Sequence, residues 1–279
     1  MKSKYDDNVL SFISQTQIIL GVGGALLANE TCKILYQHAL DFKITAFVFF
    51  SIVAAYTFLG IKISAANERL SISFSSNKTI KLLAALLSLA ATFFLFFLLD
   101  KKIQAVCAVL GIATIAYMSP LFLNNKKVKG IRDIFILKSL WLGAVWSVAT
   151  VLIPVISIKG FALSHTEVLF FMQRFCFITA IALAFNIRDY HVDFNNNMRT
   201  IATVAGVNAT KFIGALLLLI SIFFLFPMRL SLLMNTVFLV SILYTGVLIV
   251  LAKPSSKKFF YVVLMDGVLL MQGLLLLFF

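Results

Sequence analysis

Apolar residues in this chain run in long stretches separated by short polar connections. Such runs lie near 9–28, 43–63, 79–99, 103–123, 134–157, 166–187, 209–227, 230–252 and 259–279. Each is close to the ~20 residues an α-helix needs to cross a bilayer. The pattern predicts an all-α polytopic membrane protein with about nine transmembrane helices and a single domain over 1–279. The first run is followed by further spans and lacks a small-residue cleavage site, so it is read as a retained helix.

Composition agrees with this reading. Hydrophobic residues make up 61% of the chain and charged residues 13%, with a mean hydropathy of +1.02. Water-soluble domains have a typical apolar share of ~45–50%. Of the 24 Lys and Arg, 17 fall between these spans on the N-terminal side and 7 on the opposite side. The N-terminus is therefore expected in the cytoplasm and the C-terminus outside. The net charge of +13 then calls for no nucleic-acid partner, because a one-sided cationic excess is what topology and anionic lipid headgroups favour. Cys32, Cys107 and Cys176 are odd in number and scattered, which predicts neither a disulfide framework nor a metal knuckle.

The connection after the sixth run is a polar island, Asn186-Ile-Arg-Asp189-Tyr-His-Val-Asp193, continuing through Arg199-Thr200 to Gly206. Asp189 and Asp193 are four residues apart, about one helical turn, so both carboxylates can reach a single hard cation. Asn186 and Arg188 extend the polar surface. The connection after the fourth run, Asn124 to Asp133, is cationic, with Lys126 and Lys127 at its centre. Carboxylates that hold a divalent ion, faced by ammonium and guanidinium groups, suit a phosphorylated anion. Two charged residues fall inside apolar runs. Asp266 is expected to meet the cost of burial by pairing, with Lys138 as its partner, and Arg174 to snorkel outward to Glu167. The chain has 29 Phe, most of which are expected to face lipid.

The string Asn186-Ile-Arg-Asp189-Tyr-His-Val-Asp193-Phe-Asn-Asn-Asn197-Met-Arg199-Thr200-Ile-Ala-Thr-Val-Ala-Gly206 resembles the second aspartate-rich motif of UbiA-type membrane prenyltransferases, NxRDxxxDxxxGKxTLxxxxxG. Asn186, Arg188, Asp189, Asp193, Thr200 and Gly206 fit that form. Asn197 and Met198 stand where it has Gly and Lys. The family's other motif, roughly NDxxDxxxD at the end of the second helix, has no aspartates here. One register opens it on Asn67-Glu68, with Ser71 and Ser75 at the metal-binding positions; another starts from Thr57.

The resemblance implies a UbiA-like bundle that moves an isoprenoid group from an allylic diphosphate to a lipophilic acceptor within the membrane lipid. Mg²⁺ would be held by Asp189 and Asp193, which are also the implied catalytic pair, with Glu68 as the substitute ligand from the second helix. Asn186, Arg188, Arg199, Lys126, Lys127 and Lys138 would contact the substrate. The missing first motif leaves open a catalytically degenerate member that binds a lipid diphosphate or transports a small molecule.

Overall fold

A computed structural model describes residues 12–13, 15–68, 78–118, 121–123, 126–128, 137–196, 198–257 and 259–277. The long helices, in chain order, are α1 (Ile18–Tyr36), α2 (Phe42–Glu68), α3 (Lys78–Leu98), α4 (Lys101–Met118), α5 (Leu137–Lys159) and α6 (His165–Arg188). Two short helices follow, α7 (Tyr190–Asn195) and α8 (Ile201–Ala205), and then α9 (Val207–Leu225), α10 (Leu232–Leu251) and the C-terminal α11 (Phe260–Leu277), which opens with a π-helical turn. Seven helices among the described residues are long and apolar enough to cross a membrane: α1, α2, α3, α5, α6, α9 and α10. The chain is an integral membrane protein of helical architecture.

Three boundaries differ from the sequence reading. The first run, 9–28, is interrupted within it: residues 12, 13, 15 and 16 are helical, Gln17 adopts a left-handed conformation (φ 56°), and the long helix begins at Ile18, while residues 9–11 lie outside the described residues. Its far end runs to Tyr36, beyond the 28 of the apolar run, and carries Glu30 into the bundle. The fourth run was drawn to 123, yet α4 ends at Met118. Pro120 disfavours helical backbone in the residue before it. Beyond it, β1 (Leu121–Leu123) and β2 (Lys126–Val128) pair antiparallel as a small hairpin, Leu121 opposite Val128.

α6 is the most enclosed spanning helix and α3 the most exposed. Phe170, Phe177, Ile181 and Ile187 of α6 are buried in the core, while Ala180 and Ala184 let neighbours approach. On α3, Phe93, Phe94 and Phe97 are all more than half exposed, the arrangement expected of a lipid-facing surface. Close packing elsewhere depends on glycine. A Cβ on Gly143 of α5 would lie 2.1 Å from the Thr179 hydroxyl and 3.1 Å from the Phe175 carbonyl of α6.

A π-helical turn, Val148–Leu152, lies in α5 just before Pro154. Proline has no N–H, so the carbonyl one turn earlier loses its helical donor. That carbonyl belongs to Thr150, and the Thr31 hydroxyl of α1 donates to it at 2.6 Å. A wider turn and an outside donor together accommodate the proline.

Candidate active site at the cytoplasm-predicted end of α6

The polar island forms where α6 ends. Asp189 leaves the helical conformation (φ −83°, ψ 2°), and α7 starts at the next residue. The Asp193 N–H still donates to the Asp189 carbonyl at 2.8 Å, so the two acids remain one turn apart and face the same way. Both meet Lys138 at the start of α5. Its Nζ lies 3.0 Å from Asp193 Oδ2 and 3.8 Å from Asp189 Oδ2. The sequence reading paired Lys138 with Asp266; the structure corrects this, because Lys138 opens α5 beside the α6–α7 junction. Asp266 is buried, within electrostatic reach of Arg188.

Arg188 grips Asp189 with both arms of its guanidinium, Nε to Oδ1 at 2.8 Å and Nη2 to Oδ2 at 3.3 Å. Its carbon lies 4.7 Å from the Phe185 ring centre and 5.8 Å from that of Tyr261, within cation–π range. The site has two levels. Lys138 and Asp193 side chains are 9% and 2% exposed, whereas Arg188 and Asp189 are 42% and 25% exposed. Asn186, one turn before Asp189, is buried and donates to the Ser139 hydroxyl at 2.9 Å. Its carbonyl oxygen is buried and has no partner among the described residues. A buried orphan acceptor beside an ion-pair cluster is where a ligand or water is expected.

Part of the resembling string is structural. Thr200 caps α8, its hydroxyl accepting from the Thr203 N–H at 3.3 Å, while the Thr203 hydroxyl accepts from the Thr200 N–H at 2.8 Å. Gly206 (φ 89°, ψ 164°) makes the corner into α9 with a backbone that side-chain-bearing residues avoid. Arg199 is exposed. Lys126 and Lys127 lie in β2 and Glu68 ends α2, and the side chains of all three fall outside the described residues, as do Ser71, Ser75 and Asn197.

The chemistry of the donors suits a hard divalent cation, since two carboxylates already gather one positive charge at a common point. The Lys138 ammonium is the stand-in. Among the described residues no group of three or more His, Cys, Asp or Glu converges as a metal site, so Asp189 and Asp193 would be two ligands of an incomplete set. An apolar groove of about 450 Å³ runs between α4 and α5, bounded by Val106, Val109, Ala113, Trp141, Val145 and Phe161. Trp141, which stacks on Tyr117 with ring centres 6.3 Å apart, is three residues beyond Lys138. The groove thus begins about one helical turn from the charged site.

Other polar groups gather inside the bundle that the sequence reading did not bring together. Trp146 donates to the Tyr56 hydroxyl at 2.8 Å. Arg174 does not reach Glu167: it pairs with Glu30 of α1 at 2.8 Å, with both side chains fully buried. Gln272 of α11 also donates to Glu30, at 3.0 Å. Glu167 is engaged at the opposite end of α6, accepting from Lys159, the Tyr36 hydroxyl and the Ser164 N–H. Arg174 precedes Arg188 by fourteen residues, or ~21 Å along the helix, so this pair is remote from the aspartates. Glu30 lies just beyond the first apolar run, which ends at 28, so hydropathy gives no sign that it enters the bundle.

A scan against models of known protein families matches none, and a search of curated proteins likewise returns no match.

Proposed function

We propose that this protein is a membrane-embedded prenyltransferase of UbiA-like design, transferring an isoprenoid group from an allylic diphosphate to a lipophilic acceptor. The observation that carries this reading is the convergence of Asp189 and Asp193 on one cation position, beside a buried unpartnered amide oxygen and about a turn from an apolar groove. In this reading α4 and α11 also cross the bilayer, giving nine crossings, with the N-terminus and the site on the cytoplasmic side.

Asp189 and Asp193 would hold Mg²⁺, with a further carboxylate such as Glu68 completing the set. Held there, the ion would supply positive charge that offsets the charge of the diphosphate. Arg188, with a half-exposed guanidinium fixed against Phe185 and Tyr261, offers donors to those oxygens. Asn186 ties α6 to α5 through Ser139, and its buried carbonyl oxygen has no partner among the described residues. In this reading Lys126, Lys127 and Arg199 would supply further positive charge to the diphosphate. The apolar groove, open along Val109 and Phe161, which are 68% and 60% exposed, suits an isoprenoid chain lying partly in lipid. There the chain keeps water away from the allylic cation left when the carbon–oxygen bond breaks, until the acceptor supplies electrons and loses its proton.

The test uses purified full-length protein in lipid nanodiscs with Mg²⁺, allylic diphosphates of several lengths and aromatic acceptors. Acceptor-dependent release of pyrophosphate is expected, with Asp189→Asn lowering it by ~10²–10³-fold, the scale on which a single electrostatic contact to a transition state acts. A second reading, a lipid-diphosphate binder without turnover, is favoured by the neutralisation of both aspartates by Lys138 and Arg188. Saturable Mg²⁺-dependent binding with no pyrophosphate release would select it. Absence of both binding and release would remove the diphosphate reading.

A further inference from the structure

The position of Lys138 bears on how ligands enter the site. Its ammonium sits where a cation shared by Asp189 and Asp193 belongs, at 3.8 and 3.0 Å. The backbone beneath it is held firmly. Ser139 is tied to Asn186 across the α5–α6 contact, and Gly143, a turn and a half further on, lets α5 lie against the Phe175 carbonyl of α6. The lysine side chain, with four rotatable carbons, can pivot without moving the helix.

Two electrostatic facts constrain that pivot. A divalent ion placed between the aspartates would stand within a few ångströms of the ammonium and repel it. Withdrawing the ammonium from Asp193, which is 2% exposed, takes a nearly buried charge from the carboxylates that are its ion-pair partners among the described residues, and unpaired buried charges are strongly disfavoured. A metal ion arriving alone therefore meets an occupied position. A diphosphate arriving alone meets two carboxylates and cations already spent on them. An ion and a diphosphate arriving together resolve both conflicts: the metal takes the carboxylates, and the lysine takes a phosphate oxygen. Asn186, bonded to Ser139 next to Lys138 in the chain, also carries a buried carbonyl oxygen with no partner among the described residues.

We propose that Lys138 gates the site, neutralising Asp189 and Asp193 in the ligand-free protein and turning to a phosphate oxygen when a metal-bound diphosphate enters, so that cation and diphosphate bind as a pair. The gate rests on the diphosphate reading above, and it assigns to Lys138 a role beyond that of a fixed positive charge.

Binding of Mn²⁺, followed by electron paramagnetic resonance on nanodisc-embedded full-length protein, tests the gate without measuring turnover. Inorganic pyrophosphate is the probe anion, and Asp193→Asn supplies the background for complexes formed in solution. Wild type is expected to bind Mn²⁺ weakly alone and at least ten-fold more tightly with pyrophosphate. Lys138→Gln is expected to bind Mn²⁺ alone at least ten-fold more tightly than wild type and to lose most of the enhancement, while Lys138→Arg keeps it. Equal Mn²⁺ affinity of wild type with and without pyrophosphate overturns the gate, and this holds even if Lys138→Gln fails to fold. Equal affinity of wild type and Lys138→Gln for Mn²⁺ alone also overturns it. No Mn²⁺ bound by wild type under either condition, nor with an allylic diphosphate, removes the diphosphate reading and the gate with it.

Discussion

At the residue scale, the buried Arg174–Glu30 pair shows what burial does to charges that sequence alone leaves isolated. Arg174 Nε and Nη1 and Glu30 Oε2 have no hydrogen-bond partner among the described residues, so the pair satisfies its charge better than its hydrogen bonds. Removing one partner leaves the other charged and enclosed, at a cost of roughly 3–5 kcal/mol, whereas replacing both with apolar groups is often close to neutral. Arg174→Met and Glu30→Leu are each expected to lower the thermal midpoint in detergent markedly. The double variant should regain most of the loss, and an additive double loss would show that the pair contributes little. The same scale explains what the sequence made legible. Asp189 and Asp193 could be read from their own spacing, because the four-residue turn is local. Their partner Lys138 and the Glu30 partner of Arg174 lie 51 and 144 residues away, and no local pattern encodes such pairings.

At the element scale, the long helices were legible because a bilayer demands unbroken apolar runs, and the described helices follow most of those runs to within a few residues. Where the first run is interrupted, a backbone event intervenes, the left-handed Gln17, and the π turn before Pro154 likewise changes the helix without breaking its apolar run. Neither alters hydropathy, so neither is visible in it. Two variants probe how elements support the site. Gly143→Ala places a methyl against the Phe175 carbonyl, where backbone has to give, and overpacking of this kind costs ~1–3 kcal/mol. It is expected to push α5 from α6 and to weaken the Lys138–Asp193 contact. Stability and pyrophosphate-linked Mn²⁺ binding should fall together, and a loss of stability with unchanged binding would separate the helix contact from the site. Thr31→Val removes the outside donor to the Thr150 carbonyl and leaves a buried acceptor unpaired, for an expected loss of ~1–3 kcal/mol in chemical unfolding.

At the scale of the whole molecule, the distribution of polar contacts defines two ends of the bundle. One end joins Tyr36, Lys159 and Glu167; the other joins Lys138, Arg188 and Asp193 and, through Tyr261, the Lys253 carbonyl. α6 has 24 residues, so its two ends are ~36 Å apart, more than the ~30 Å hydrocarbon thickness of a bilayer. The proposed topology places the Arg188 end in the cytoplasm, following the cationic excess, and it requires α4 and α11 to cross. Single cysteines introduced at exposed positions distinguish the possibilities. Cys32, Cys107 and Cys176 are buried and free, so they are expected to give little background. In sealed right-side-out vesicles, Arg199→Cys and Lys257→Cys should resist a membrane-impermeant maleimide until the membrane is opened, whereas His165→Cys and Arg229→Cys should react at once. His165 and Arg199 flank α6 and α7 and calibrate the assay, while Arg229 and Lys257 flank α10. If all four assignments reverse together, the bundle is inverted and the site faces outward, away from cytoplasmic diphosphates. If Lys257 labels on the same side as Arg229, α10 does not cross and the nine-crossing topology fails.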